Sequence, residues 1–124
     1  MRIEEVPPND WADALNDFTI AHEGWLVSMA TFASDEAART DIRNLPLIGV
    51  SADRTAHSDI AISVARSSSE HVTRVIERAA RVYLQRGTNG STASVIVDSE
   101  EGTRTVLSVR ARAEAKPASP TAPS

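Results

Sequence analysis

The chain contains no cysteine. That excludes disulfide staples, thiolate nucleophiles and cysteine-built zinc sites. Aromatic residues make up only 4% of its 124 residues, so aliphatic side chains must fill most of the core. No apolar run approaches the roughly 18 residues of a membrane-spanning helix. The N-terminal stretch Met1-Arg2-Ile3-Glu4-Glu5-Val6-Pro7-Pro8 lacks the apolar region of a secretory signal. The cytoplasm is therefore the expected location. Positive charge is not in excess: the formal net charge is −4. This balance weighs against nucleic-acid binding, which needs a positive field. There is no Gly-x-Ser-x-Gly elbow and no phosphate loop. The stretch Gly87-Thr88-Asn89-Gly90 is short, lacks a P-loop lysine and reads as a turn between strands.

What is present suits one globular domain. The apolar fraction is 41% and the charged fraction 24%, ordinary values for a folded chain. Residues 1–112 read as that domain. Ala113 to Ser124 holds three of the six prolines and no large apolar residue. Such a stretch cannot offset its ordering entropy, so 113–124 is expected to be a disordered Pro/Ala/Ser tail.

One helix is legible near the N-terminus. Trp11, Leu15, Phe18 and His22 follow in steps of four, three and four, which is a single apolar stripe. Asn9 is the expected N-cap, and Asp10 and Asp13 place negative charge in the first turn. Gly24 is placed to end the helix in the left-handed conformation. Trp25 to Phe32 then reads as a strand. Further strands are expected at Ala38–Asn44, weakly, and at Leu47–Ala52, with Leu45-Pro46 breaking the run between them. Ile60–Ala65 alternates as a sheet with one buried face. Ala93–Asp98 and Thr103–Arg110 read as a hairpin turning at Gly102. Glu70 to Gly87 is ambiguous. Val72, Val75, Ile76, Ala79, Ala80 and Tyr83 match a helical face, with Ser69 as cap and Gly87 as stop, yet Arg81–Gln85 alternates. A bend followed by a strand at Arg81–Arg86 is the preferred reading. The fold class expected is α+β or mainly β: an N-terminal amphipathic helix on a twisted, mostly antiparallel sheet of about five to seven strands.

Three blocks stand out together: His22-Glu23-Gly24-Trp25-Leu26-Val27, Leu45-Pro46-Leu47-Ile48-Gly49-Val50-Ser51-Ala52-Asp53 and Glu101-Gly102-Thr103-Arg104-Thr105-Val106-Leu107. In these the chain resembles a family of short bacterial proteins, a domain of unknown function, over about Ile3 to Arg110. The resemblance implies a single small domain and no established activity. It also implies extended structure around Val75–Val82, where similar proteins carry proline and this chain has Ile76-Glu77-Arg78-Ala79-Ala80.

Candidate chemistry is sparse. His22 is a candidate general base; the preferred reading is a histidine packed near a helix C-terminus, because no titrating partner is evident beside it. Trp25, Asp53, His57 and Asp59 are candidate ligand-binding residues, and His57-x-Asp59 with Asp53 is a candidate metal loop. Asp, Ser and His are also the ordinary residues of turns, which is the preferred reading. His71 has no functional reading. Arg74, Arg78 and Arg81 would share a side if their segment were helical, giving a candidate nucleic-acid patch with Arg104, Arg110 and Arg112. A solvated face paired to Glu70 and Glu77 explains them as well, and stacking aromatics are scarce. With a patterned core and no convergent polar cluster, the expected function is a small non-enzymatic binding or assembly module acting through a sheet edge or face. A homo-oligomer or protein partner is expected, with no cofactor, no metal and no membrane. The alternatives are a small enzyme or metal-binding protein using His22 or the Asp53/His57/Asp59 loop, and weak nucleic-acid contact through the arginines.

Overall fold

Alternating side chains build eight strands and the 3.6-residue stripe builds one helix. The computed structural model describes residues 2–33, 39–53, 58–87 and 92–111. The order is β1 (Arg2–Val6), a 3-10 turn (Pro8–Asp10), α1 (Trp11–His22), β2 (Leu26–Phe32), β3 (Arg39–Ala52), β4 (Ile60–Ser67), β5 (Glu70–Ile76), β6 (Ala79–Arg86), β7 (Thr92–Ser99) and β8 (Arg104–Ala111). The strands form one sheet in the order β1-β6-β7-β8-β2-β3-β4-β5. Every neighbouring pair is antiparallel. The fold is thus the helix-on-antiparallel-sheet class expected, with eight strands rather than five to seven. β1 was not foreseen, because Glu4-Glu5 masks its alternation.

The helix begins one residue later than its capping pattern predicts. Asp10, not Asn9, holds the N-cap position, and its side chain makes no cap hydrogen bond. Pro8 fixes a backbone suited to a tight first turn, and the Asp10 N–H donates to the Pro7 carbonyl (2.8 Å). The end is as expected. Gly24 takes φ +86°, and the Trp25 N–H closes the turn onto the His22 carbonyl (2.9 Å).

One other reading changes, at Pro46, and at Glu70–Gly87 the preferred bend and strand prevail over the helix. Pro46 does not break the chain: β3 runs through it for 14 residues. Pro46 faces Leu26 of β2, while Leu47 faces Val64 of β4. The strand changes neighbour there, so the missing N–H falls at the hand-over. Glu70–Gly87 is not a helix. It is β5 and β6 joined at Glu77-Arg78, with Arg78 at φ +52°. Val72 and Ile76 pair with Val64 and Ile60 of β4. Both pack against the core, so strand alternation prevails over the helical pattern.

That corner shapes the whole sheet. β5 ends the strand order and β6 is second from the other end, yet three Cα–Cα steps separate Ile76 from Ala79. They span at most about 11 Å. The sheet must therefore curl until its β5 end meets the start of β6. Backbone bonds hold this closure: Ala79 N–H to Ser58 carbonyl (3.0 Å) and Glu100 N–H to Arg78 carbonyl (2.9 Å). The Arg78 N–H donates to Asp59 Oδ1 (3.1 Å).

The core fills the inside of the roll. Val27, Val64, Val82, Val95, Val97, Ile60, Ile62, Leu47 and Leu107 meet Leu15 and Phe18 of α1 there. Each large aliphatic side chain so buried contributes on the order of 1.5–3 kcal/mol. α1 also lies along β3 past Pro46. Thr19 Oγ1 accepts from the Val50 N–H (2.9 Å) and is within donor range of the Val50 carbonyl (3.0 Å) and the Leu15 carbonyl (2.9 Å). A helix can come this close because Gly49 has no side chain; a Cβ there would stand 3.3 Å from Thr19 Cγ2. Among the described residues, no helix is long and apolar enough to cross a membrane.

Candidate functional site

Among the concavities of the described residues, two hold side chains that bear on chemistry. The first lies between the C-terminal half of α1 and the ends of β6 and β7. It is a cleft of about 480 Å³ lined by Ala14, Asp17, Phe18, Ala21, His22, Trp25, Leu84, Arg86 and Thr92. Its floor follows from the helix stripe. Phe18 and His22 are one turn apart on the buried face, and Gly24 turns Trp25 back over them. The His22 ring lies 4.6 Å from Phe18, tilted, and 4.6 Å from Trp25, edge-on. It is 5% exposed. His22 Nδ1 is 3.0 Å from the Phe18 carbonyl oxygen. A carbonyl only accepts, so Nδ1 carries a proton, and in the neutral imidazole Nε2 is the acceptor. No second hydrogen bond or ion pair reaches this ring among the described residues. At the rim, Arg86 donates from Nε to Glu4 (3.2 Å) and from NH1 to Thr92 (3.0 Å).

The second concavity runs beside β5. It is a groove of about 230 Å³ lined by Met29, Thr31, Arg39, Arg74, Val75, Ile76, Glu77, Ser99, Glu101, Thr103 and Thr105. Behind it stands Asp41, whose side chain is only 5% exposed. Thr31 donates to Asp41 Oδ2, and Arg39 Nε donates to Oδ1 (2.9 Å). Arg74 NH2 stands 3.6 Å from the same oxygen. Burial pushes the Asp41 carboxyl up. The hydrogen bonds from Thr31 and Arg39 and the charge of Arg74 outweigh it, and the group titrates below its ordinary value. Asp41 is the ionisable residue that sequence reading missed. Arg39 is two residues away, but Thr31 and Arg74 lie 10 residues before it and 33 after it, and no local spacing announces those two.

The residues singled out from sequence fall in different places. His22 and Trp25 do meet in one cleft, with the carboxylate of Asp17 on its wall. Asp53 and Asp59 flank the β3–β4 connection, where the Asp53 N–H donates to the Asp59 carbonyl (2.8 Å). His57 lies outside the described residues, as do 88–91, Arg112 and the segment 113–124. Among the described residues, no three His, Asp or Glu side chains are grouped to hold a metal ion. Arg74, Arg78 and Arg81 do not share a helix face. They sit on β5, on the corner and on β6. Their nearest carboxylates are Asp41, Glu101 and Glu5, at 3.6, 3.3 and 4.0 Å. Arg104, on the outer face of the sheet, holds Asp98 with two bonds of 2.7 and 2.9 Å and stands 5.8 Å from the Tyr83 ring centre. The hydrogen bonds from Arg104 are the main cause holding the Asp98 carboxyl below its ordinary value.

No curated protein and no solved structure matches the chain. A family model does, over residues 2–118, and thus over the whole rolled sheet, both concavities and the first residues of the Pro/Ala/Ser stretch. The matched span includes the junction at His22–Val27 and the block at Leu45–Asp53, and the chain belongs to DUF5335, a family of unknown function.

Proposed function

We propose that this small sheet-based domain is a non-catalytic assembly module that pairs with a second copy of itself through the open edge of β5. The observation that supports this is the state of that edge. β5 pairs with β4 on one side, and among the described residues its other side makes no backbone hydrogen bond. A free row of N–H and C=O groups is a template for another strand. β1 is the other edge. It is shorter, and its Glu4 is already engaged by Arg2 (3.1 Å) and Arg86 (3.2 Å).

Charge selects the register. Glu70, Val72 and Arg74 alternate onto one face of β5. In a two-fold antiparallel pairing that sets Val72 opposite its own copy, Glu70 faces Arg74 of the second copy, twice. Slipping by four residues in one direction sets Arg74 against Arg74, which is unfavourable. The favoured register uses the Glu70–Arg74 half of the strand and stays clear of the groove beside Glu77. Such an interface is smaller than the roughly 1,200 Å² of stable complexes, so the dimer is weak and concentration-dependent.

Sedimentation velocity of the full chain across a wide concentration range tests this. Reversible dimerisation is expected. Glu70→Arg and Arg74→Glu should each abolish it, and an equimolar mixture of the two variants should restore it as a heterodimer. A wild-type protein that stays monomeric at high concentration, or a dimer indifferent to Glu70→Arg, defeats the reading.

A further inference from the structure

The cleft at His22 has no part in pairing through β5, and its chemistry points to a ligand of its own. Its volume of about 480 Å³ lies within the range of small-molecule sites, roughly 300–1,000 Å³. Its walls are largely apolar and two of them are flat rings: Phe18 and Trp25, beside Leu84, with Ala14 and Ala21 leaving room on the helix. Within it sits a polar side chain that is 95% buried, on the 5% exposure of His22. Such a group is normally satisfied, because an unpaired buried polar atom costs on the order of 1–3 kcal/mol. His22 satisfies only Nδ1, through the Phe18 carbonyl. With Nδ1 the donor, the neutral ring offers Nε2 as an acceptor. The charges on the cleft wall, Asp17 and Arg86, are of opposite sign, and Arg86 already binds Glu4 and Thr92. With Arg86 paired to Glu4, the carboxylate of Asp17 on the wall disfavours an anion.

We infer that this cleft binds a small, planar, uncharged aromatic molecule that donates a hydrogen bond to His22 Nε2 and stacks among Phe18, Trp25 and Leu84. The donor supplies the partner that the buried imidazole lacks. The flat walls select a ring over a branched aliphatic group. Among the described residues no ion pair reaches the imidazole, and the role inferred for the cleft is binding alone.

Indole and 1-methylindole form the test pair. They share shape and polarity, and only indole has an N–H to donate. Titrating the full chain with each, followed by heteronuclear NMR, should give saturable shifts from indole at Phe18, His22, Trp25 and Leu84. The Nε2 resonance of His22 should move in the sense of a nitrogen accepting a hydrogen bond. Binding of 1-methylindole should be about fivefold to tenfold weaker. His22→Phe keeps a flat ring and removes both ring nitrogens, the acceptor included, and should erase the difference between the two probes. Ala21→Trp adds bulk at an exposed helix position beside the cleft and should block both. Equal affinity of the two probes for the wild-type protein, shifts away from the cleft, or no saturation up to the solubility of indole would each overturn the assignment. The comparison of probes on wild-type protein stands even if a variant fails to fold.

Discussion

Asp41 is the residue whose protonation the fold controls most plainly. Its carboxylate is nearly buried, yet Thr31, Arg39 and Arg74 together hold it ionised below the ordinary carboxylate range. A depressed folded-state value means that its contribution to stability is fully present above the unfolded value, about 3.9. That contribution is lost as the pH falls through the folded value. Asp41→Asn should therefore cost about 1 kcal/mol at pH 7; the exposure of both arginines keeps it from being larger. The deficit should shrink as the pH falls below about 4. Chemical denaturation of both proteins across pH 2–7 checks this, and a deficit independent of pH would contradict it. Little of this was visible beforehand. Arg39-Thr40-Asp41-Ile42-Arg43 reads only as a weak polar strand, because two of the three partners of Asp41, Thr31 and Arg74, come from β2 and β5. His22 was visible, since its place on the helix stripe is a local fact. Its packing between Phe18 and Trp25 required the Gly24 turn to be formed in three dimensions.

At the scale of elements, α1 serves β3 as well as the core. Past Pro46, β3 has left β2, and Thr19 meets the backbone polar groups of Val50 on that side. Thr19→Val keeps the shape and removes the hydroxyl, leaving the Val50 N–H without its acceptor. The expected loss is about 1–2 kcal/mol, with Thr19→Ser losing less. Thermal or urea unfolding of the two variants decides it, and equal losses would mean that packing rather than the hydrogen bond holds the helix. Sequence pattern located α1 and its end at Gly24, because caps and stripes are local. It also located β2, β4 and the β7–β8 hairpin, where Gly102 takes φ +92°. It misjudged Pro46 and left Glu70–Arg86 open. In both places the outcome depends on which strand lies alongside, and pairing with β4 decides it.

The whole molecule depends on a two-residue corner. Glu77-Arg78 brings the end of the sheet back to β6, and Asp59 ties that corner to the β3–β4 connection through the Arg78 N–H. Asp59→Ala removes this tie. Water can take its place at an exposed position, so the global cost should be modest, about 1 kcal/mol. The effect should concentrate locally: backbone amides of β5 should exchange with solvent faster than in the wild-type protein, while those of β7 and β8 keep their protection. Unchanged exchange in β5 would show that the roll is closed by its core alone.

The sequence by itself determined the class of the fold, the helix and most strand positions. These depend on periodicity, composition and turn residues, which act over a few neighbours. The tertiary structure decided everything that joins distant residues. It routed β3 between two neighbours and split Glu70–Arg86 into two strands. It dispersed the arginines onto separate elements, surrounded Asp41 with its partners and enclosed His22 beneath Trp25. Side-chain patterns record which face of an element is buried. They do not record which element buries it, and the cleft at His22 and the groove beside β5 lie between elements that only the rolled sheet brings together.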